Sequence, residues 1–311
     1  MTLTLAQRIQ QMLESKNAVP EQCRMTVQEV LASPEAFAVI PQVISAVIKD
    51  AAERMYVASR MFRPVRITTG RSITVPAVGA VRAYDIPEGG EYPKEQVDLE
   101  TGTEITVGKS GLVVQATEET VEDSLWNLIG ISLQKAGRAL GRLKEEKAFN
   151  LMVTKSQSVF DKGSNGQFNR EDLLNLFLAV MANGFVPSDV LMHPLCWPIF
   201  VKNLGPLAVP GLATGVVAIT PDAVQNCIPF PISIRLSPFA PFDRVTKTFD
   251  ILVVDKNEVG INLIKEEIGL EDWTDPERDI RNIKVKECYG LGVLNKGRAI
   301  AVAKGIKFAS T

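Results

Sequence analysis

The sequence predicts an α+β fold, and two kinds of pattern along its 311 residues support this prediction. In some stretches apolar side chains recur every three or four residues, which is typical of amphipathic helices. In others β-branched and polar residues alternate between glycines and prolines, which is typical of strands joined by turns. Because helices and strands do not alternate regularly, we do not expect a doubly wound parallel sheet.

Composition and charge exclude several classes of protein. The chain carries 34 basic and 36 acidic side chains, so it lacks the overall positive charge of a general nucleic-acid binder. Its 46% hydrophobic content excludes a disordered polyelectrolyte, and its length predicts about two domains. The single histidine, His193, excludes a histidine-rich metal site.

The cysteines and the first residues indicate a protein of the reducing cytoplasm. The four cysteines contain no CxxC pair, which excludes a zinc ribbon and a thioredoxin-type site. The first residues lack the basic-then-apolar order of a signal peptide. The longest uncharged apolar stretch near the start, Ala36–Ile48, has 13 residues, whereas a membrane span needs about 20. We therefore expect no membrane association.

The N-terminal region predicts a helical arm. Ser33 suits a helix N-cap and Pro34 suits the first helical position. One apolar stripe follows, formed by Phe37, Ile40, Ile44, Val47, Ala51, Met55, Ala58 and Phe62. This spacing predicts an amphipathic helix.

The next region predicts a long two-stranded β-hairpin with segregated charges. Alternating runs at Ser72–Val75 and Glu104–Val107 flank a segment of turn residues, Ile86–Pro93. The base of the hairpin is basic and contains no acid from residue 60 to 84: Arg60, Arg63, Arg66, Arg71 and Arg82. The tip is acidic, and Lys94 is its one base: Asp85, Glu88, Glu91, Glu95, Asp98, Glu100 and Glu104. Isolated hairpins are marginal in water, so we expect this one either to pack against copies of the chain or to form a solvated surface loop.

A long helix is predicted from Glu118 to Met152. At 1.5 Å per residue it would extend about 50 Å, which favours a flat or elongated subunit. Its apolar stripe comprises Val121, Leu125, Leu128, Ile129, Leu133, Ala136, Leu140 and Leu143. A line of glycines, Gly130, Gly137 and Gly141, indicates close approach of another backbone or chance. A basic line, Lys135, Arg138 and Arg142, indicates either a solvated face or a surface that faces a polyanion.

The remainder of the chain mixes helices and strands. Asn169 is the predicted cap of a helix over Arg170–Asn183. A loop rich in glycine and proline is predicted at Pro206–Thr220. The predicted strands are Val190–Met192, Ile232–Leu236, Thr248–Val254, Gly260–Ile264, Lys284–Lys286 and Ala299–Ala303.

No motif supports an active site, so we assign no catalytic, cofactor-binding or metal-binding residue. Gly108-Lys109-Ser110 ends like a phosphate-binding loop, but the required earlier glycine is one residue out of place and a strand follows. His193 lacks a nucleophile motif and is predicted to be structural. The acidic cluster Asp275–Asp279 lacks the spacing of a calcium loop.

The order of these elements resembles the major capsid protein of tailed bacteriophages, with the HK-ninety-seven-type fold. Ile86–Pro93 resembles the tip of the family's extended loop, and Lys109–Glu119 followed by Asp123-Ser124 resembles the start of its spine helix. Val190–Pro194 resembles the axial-domain strand and turn, where the family often has asparagine instead of His193. Arg298–Val302 resembles the closing strand. The resemblance extends from about residue 35 onward and lies in the order and spacing of loose motifs.

The resemblance implies a division of the chain into four parts. Residues 1–60 would form an N-terminal arm and residues 61–117 the extended loop. Residues 118–165 would form the spine helix and peripheral domain, completed by about 280–291. Residues 166–279 would form a mixed α/β axial domain, with a C-terminal strand in 292–311.

The function implied by the resemblance is that of a structural shell subunit without enzymatic activity or cofactors. Pentamers and hexamers would assemble in the host cytoplasm into the icosahedral head of the virion and enclose double-stranded DNA through non-specific contacts. Residues 1–33 are shorter than the family's scaffolding segment, which implies a separate scaffolding protein besides a portal and an optional decoration protein. An encapsulin-type shell around protein cargo is the alternative, and a soluble α+β enzyme is a more distant one.

The resemblance also implies roles for individual residues. The loop tip that contacts a neighbouring subunit would comprise Glu88, Glu91, Lys94 and Glu95. The loop base would present Arg63, Arg66, Arg71 and Arg82. Lys135, Arg138 and Arg142 would face the DNA. In members that crosslink, Lys94 would join Asn282 with Glu287 as the base, although Glu287 is displaced from the family's spacing.

Overall fold

The computed structural model describes residues 40–78, 99–117, 126–162, 168–198, 232–275, 277 and 280–307. The predicted loop tip, most of the N-terminal arm and the loop Pro206–Thr220 lie outside the described residues. The chain divides into two compact units. The first contains residues through Arg54, Gly111–Leu140 and Ile268–Glu287. The second contains Met55–Ser110, Gly141–Glu267 and residues from Cys288 onward.

Helices and strands are mixed along the chain, which confirms the predicted α+β class. The helices in the described parts are α1 (Ile40–Glu53), α2 (Trp126–Lys155) and α3 (Arg170–Ala182). None of these helices is long and apolar enough to cross a membrane. The strands are β1 (Phe62–Arg66), β2 (Ser72–Val78), β3 (Leu99–Thr106), β4 (Gly108–Thr117), β5 (Ser158–Asp161), β6 (Asp189–Met192), β7 (Ser233–Leu236), β8 (Phe242–Asp243), β9 (Thr248–Val254), β10 (Gly260–Asp275), β11 (Ile280–Val293) and β12 (Ile300–Lys307).

A six-stranded sheet organises the second unit. Its order is β5-β12-β9-β6-β7, and β8 also pairs with β9. Successive side chains of a strand point to opposite faces, so β9 supplies both faces of the sheet. Phe249, Ile251 and Val253 enter one core with α3 side chains such as Leu176 and Phe177. Leu252 and Val254 enter a second core with the α2 side chains Ala148, Phe149 and Met152.

A four-stranded sheet has the order β1-β10-β11-β4. Strand β1 runs parallel to β10, and the register places Phe62 beside Gly260 and Arg66 beside Ile264. Parallel neighbours require a long connection along the chain, and here it runs from residue 66 to residue 260. The strand that follows α1 is therefore tied to a part of the chain that comes much later.

The predicted hairpin is confirmed as the antiparallel pair β2–β3. Ser72 lies beside Thr106 and Val78 beside Leu99, with a register shift between Val75 and Ala77. Pro76 stands at this shift, and a proline cannot donate a backbone hydrogen bond to the strand ladder. The paired residues lie in 72–78 and 99–106, whereas β1 and β4 belong to the four-stranded sheet.

Two details of the predicted helices are wrong. The apolar stripe of the arm was extended to Phe62, but α1 ends at Glu53. Ala58 and Phe62 are buried in the second core, through a short 3-10 turn and strand β1 rather than through a helix. In α2, Leu143 was placed on the buried stripe, but its side chain is 39% exposed.

Helices α1 and α2 approach each other closely in the first unit. A Cβ atom on Gly137 would lie only 2.6 Å from the backbone oxygen of Ile48 and 3.1 Å from the Ala51 Cβ. The close backbone approach predicted from the glycine line is therefore confirmed at Gly137. Any side chain at this position would push the two helices apart.

We expect Gly137→Ala to destabilise the chain. Alanine gains about 1 kcal/mol in helix propensity, but overpacking against backbone typically costs about 1–3 kcal/mol. The net result should be a lower urea midpoint for unfolding, monitored by circular dichroism. Gly108→Ala is the matched control, because nothing lies within 4 Å of a Cβ atom there. Equal midpoints for the two variants would contradict the proposed close contact.

Candidate assembly interface

The hairpin is fixed to the second unit at its root. Ile67, Ile105 and Leu263 form a small buried cluster there. Half-buried side chains surround it, namely Val65, Ile73, Val75, Val107 and Ile261. The Lys265 Nζ donates a hydrogen bond to the Gly70 carbonyl at 2.8 Å. The Val107 N–H donates to the Arg71 carbonyl at 2.7 Å. The first bond ties the root to β10, and the second ties the start of the hairpin to its end.

Beyond the root, the hairpin makes a sheet of its own. No third strand pairs with β2 or β3 in the parts of the chain that the structure describes. The outer edge of each strand therefore presents backbone donors and acceptors to whatever lies beside it.

Three of the four base arginines lie at this root and are exposed. Arg66 forms an ion pair with Glu267, and both side chains are largely exposed. Within the described residues, neither the Arg63 nor the Arg71 side chain has a hydrogen bond or ion pair. Arg82 and the tip residues Glu88, Glu91, Lys94 and Glu95 lie outside the described residues.

The basic line on α2 is not uniform. Lys135 and Arg138 are exposed and have no partner among the described residues. The Arg142 Nε donates to the Glu146 carboxylate at 2.7 Å, and its guanidinium lies 5.9 Å from the centre of the Phe239 ring. Arg142 is thus engaged within the subunit, whereas Lys135 and Arg138 can bind an external anion.

The two described crosslink candidates are both buried on β11. Glu287 follows Asn282 by five positions, an odd number, and a regular strand directs such residues to opposite faces. The Asn282 Oδ1 accepts a hydrogen bond from the Gln115 Nε2 at 2.9 Å. The strand therefore does not bring Glu287 and Asn282 together, and Lys94 lies outside the described residues.

Two lysines on the same face of β11 as Asn282 hold a carboxylate. The Lys284 Nζ lies 2.7 Å from Glu271 Oε2, and the Lys286 Nζ lies 2.5 Å from Glu271 Oε1. Hydrogen bonds from Lys284 and then Lys286 lower the pKa of Glu271 to about 2. These bonds join β10 to β11 within the first unit.

Sequence reasoning missed two charged residues that the second unit buries. Glu145 is fully buried and accepts hydrogen bonds from the backbone N–H groups of Ala58 and Ser59, each at 2.8 Å. The Lys144 Nζ lies 4.4 Å from the centre of the Tyr289 ring and 5.2 Å from that of Tyr56. The helical spacing could have indicated that Glu145 is buried, because it precedes Ala148 and Phe149 by three and four residues. The predicted stripe instead includes the apolar Leu143, which is exposed.

A surface groove of about 470 Å³ lies between α2, β11 and the hairpin root. Its lining residues are Thr106, Gly108, Lys147, Asn150, Leu151, Thr154, Tyr289, Gly290 and Leu291. This set contains no histidine, cysteine or carboxylate. Lys147 and Tyr289 are its titratable side chains, and the histidine, thiol and carboxylate groups that most hydrolytic sites use are not among its lining residues.

His193 and Cys196, which lie outside the groove, have structural roles. His193 Nδ1 accepts the Leu195 N–H at 3.1 Å, and burial lowers the pKa of His193. Burial raises the pKa of the Cys196 thiol to about 12, so this thiol stays protonated. Among the described residues, no group of three histidine, cysteine or acidic side chains could hold a metal ion.

Comparison with known proteins agrees with this picture. The family model for phage capsid protein matches residues 100–304. A search of curated protein sequences gave no match. A chain of Microbacterium phage Oxtober96 is similar at 15% identity and a TM-score of 0.58, over 79% of this chain and 90% of that chain.

Shells that are not described as phages share the fold as well. A virus-like particle from Pyrococcus furiosus has 13% identity and a TM-score of 0.55, over 84% of this chain and 98% of that chain. An encapsulin complex from Synechococcus elongatus has 14% identity and a TM-score of 0.54, over 83% of this chain and 90% of that chain. These likenesses confirm the predicted HK-ninety-seven-type fold.

The Glu271 carboxyl should titrate near pH 2, well below the ordinary value of 4.5. Because its pKa is lowered by folding, its contribution to stability is present above about pH 4.5 and is lost as the pH falls through 2. Replacing Lys284 and Lys286 with methionine should return the midpoint towards the ordinary value of 4.5. Carboxyl NMR measures both midpoints, and an unchanged midpoint in the double variant would contradict the assignment.

Proposed function

The chain belongs to the phage capsid protein family and is a capsid shell protein, and we propose that its shell is the icosahedral head of a tailed bacteriophage. The observation that carries the proposal is the family match over residues 100–304, which spans the elements from β3 to β12. We further propose that pentamers and hexamers of the chain build this head and that it encloses double-stranded DNA. Closed symmetric shells of this kind arise from repeated heterologous contacts.

The extended hairpin is the proposed main contact between subunits. Its strands β2 and β3 pair only with each other in the described residues, and hairpins of this kind are marginal without support. Arg63 and Arg71 stand exposed at its root and have no partner there. The tip segment carries the acids Glu88, Glu91 and Glu95. The proposal is that the acidic tip of one subunit lies against the basic root of a neighbour.

The finer organisation follows from the same proposal. Residues 118–165 with 280–291 would form the peripheral domain, and residues 166–279 the axial domain around the local symmetry axes. Assembly in the host cytoplasm and the partners of assembly (a scaffolding protein, a portal and a decoration protein) rest on the family resemblance alone. The role of the chain is structural rather than enzymatic. The family match and the structural roles of His193 and Cys196 support this part of the proposal.

An encapsulin-type shell is the alternative, because the fold likeness to a virus-like particle and to an encapsulin complex is nearly as close as that to a phage chain. The family match favours the phage head. The two readings differ in what the shell holds, which is DNA in one case and protein cargo in the other.

Purified protein should form closed particles in negative-stain micrographs, and particles from infected cells should hold nuclease-protected DNA. Glu88→Lys with Glu91→Lys should abolish closed particles, because like charges would then meet at the contact. Adding Arg63→Glu and Arg71→Glu should restore part of the yield, since the opposite pairing is re-created.

Arg244→Glu, at an exposed position outside the hairpin root, is the control and should assemble normally. A monomeric elution profile for the wild type would contradict both the phage-head proposal and the encapsulin alternative. Assembly of the tip variant at wild-type yield would remove the hairpin from the contact. Particles that hold protein and no DNA would favour the encapsulin alternative.

The exposed cations of α2 should contribute to DNA binding. Replacing Lys135 and Arg138 with alanine should make the negative slope of log K against log salt shallower, by about 0.9 for each lost phosphate contact. Arg142→Ala should leave the slope nearly unchanged, because Glu146 already engages Arg142. Fluorescence anisotropy with a short duplex measures the slopes. An equal effect of all three substitutions would argue against a specific DNA-facing role for Lys135 and Arg138.

A further inference from the structure

A buried carboxylate holds the segment that leads into the extended hairpin. Glu145 Oε2 accepts the N–H of Ala58 and Oε1 accepts the N–H of Ser59, both at 2.8 Å. Ala58 is the N-cap of the 3-10 turn Ser59–Met61, and β1 starts directly after this turn, at Phe62. Ala58 offers no side-chain cap to this turn. Glu145 therefore supplies, from a distant helix, the acceptors that the first N–H groups of the turn lack.

A carboxylate is an unusual side chain at a fully buried position, and the two N–H groups explain why position 145 has one. Burying a charge is expensive, and Glu145 is fully buried. An apolar side chain would avoid that cost but would leave two buried N–H groups without acceptors. Two carboxylate oxygens on two successive N–H groups also define one position of the turn along α2. If the chain slipped by one residue, a different pair of N–H groups would face Glu145.

The next residue is fixed as well. Phe62 is buried and lies beside Gly260 in the parallel register of β1 with β10. A Cβ atom on Gly260 would lie 2.1 Å from the Gly292 carbonyl oxygen and 2.9 Å from the Phe62 ring, so this oxygen and the ring together occupy the space that a side chain would need. Residues 58–62 are thus held at both ends, by Glu145 on α2 and by Gly260 on β10.

The position of this segment decides where the hairpin points. Strand β1 ends at Arg66 and β2 begins at Ser72, so few residues separate the held segment from the hairpin. Strand β2 alone extends about 20 Å, and a tilt of about 5° at its root would move its far end by about 2 Å. Such a displacement exceeds the tolerance of a specific hydrogen-bonded or ionic contact.

We propose that Glu145 is a positioning residue for shell assembly, which fixes the direction in which the hairpin leaves the subunit and so keeps the shell uniform. This inference rests on the proposed function, because it concerns the contact that the hairpin makes with a neighbour. Glu145 acts through the backbone of Ala58 and Ser59 and need not touch the neighbouring subunit.

The test compares Glu145→Gln with Glu146→Gln. The glutamine at 145 retains one acceptor oxygen, while its amide group opposes the second N–H. Glu146 is the neighbouring acid on the same helix and pairs with Arg142 on the surface. Hydrogen exchange at Ala58 and Ser59 should rise by about tenfold or more in the first variant and stay unchanged in the second. Shells of the first variant should be heterogeneous in diameter or open, and those of the second uniform.

The outcomes separate the inference from the function on which it rests. Uniform closed shells of Glu145→Gln would overturn the positioning role, and unchanged exchange at Ala58 and Ser59 would overturn the clamp itself. Failure of the wild type to form shells would instead contradict the proposed function, while the exchange measurement would still decide on the clamp. If Glu145→Gln does not fold, Glu145→Asp, which keeps the charge but withdraws the carboxylate by one methylene, takes its place with the same readouts.

Discussion

Strands β9 and β12 are buried on both faces, and this constraint determines how the second unit is built. Side chains of β9 alternate between two cores, so Val253 joins the core of α3 while Leu252 and Val254 join the core of α2. A slip of one residue between the paired strands would exchange the two sets of side chains. Both helices are therefore needed to close the two faces of the sheet.

The second core also contains the residues that lead into the hairpin. Met61 and Phe62 pack with Phe149 and Met152 of α2 and with Val254 of β9. The buried Lys144 and Glu145 lie on the same part of α2, where one contacts aromatic rings and the other backbone N–H groups. The hairpin, for which we propose contact with neighbouring subunits, is thus continuous with the second core.

The sequence predicted those elements whose environment leaves a simple pattern. Strand β9 was predicted with its observed ends because burial on both faces gives an unbroken apolar run. Helix α3 was predicted from its cap, and the Asn169 N–H indeed donates to Asp172 at 2.7 Å. Strands β10 and β11 are much longer than predicted, because exposed charged residues such as Lys265 interrupt their apolar pattern. The clamp at Glu145 was not predicted, since hydropathy treats every charge as exposed while backbone partners 86 residues away decide its burial.

The register shift at Pro76 bears on whether the hairpin can seed fibres when the protein misassembles. A flat hairpin with two open edges is a template on which further strands add without limit, as in amyloid. The shift between Val75 and Ala77 lies within the β2–β3 ladder, where a bulge bends and twists the strands, and Pro76 has no N–H to offer to a further strand. In the proposed shell the hairpin would therefore bind its neighbour through side chains and would propagate a continuous strand ladder poorly. For a subunit that assembles in many copies, as we propose, this shape would favour closed particles over fibres.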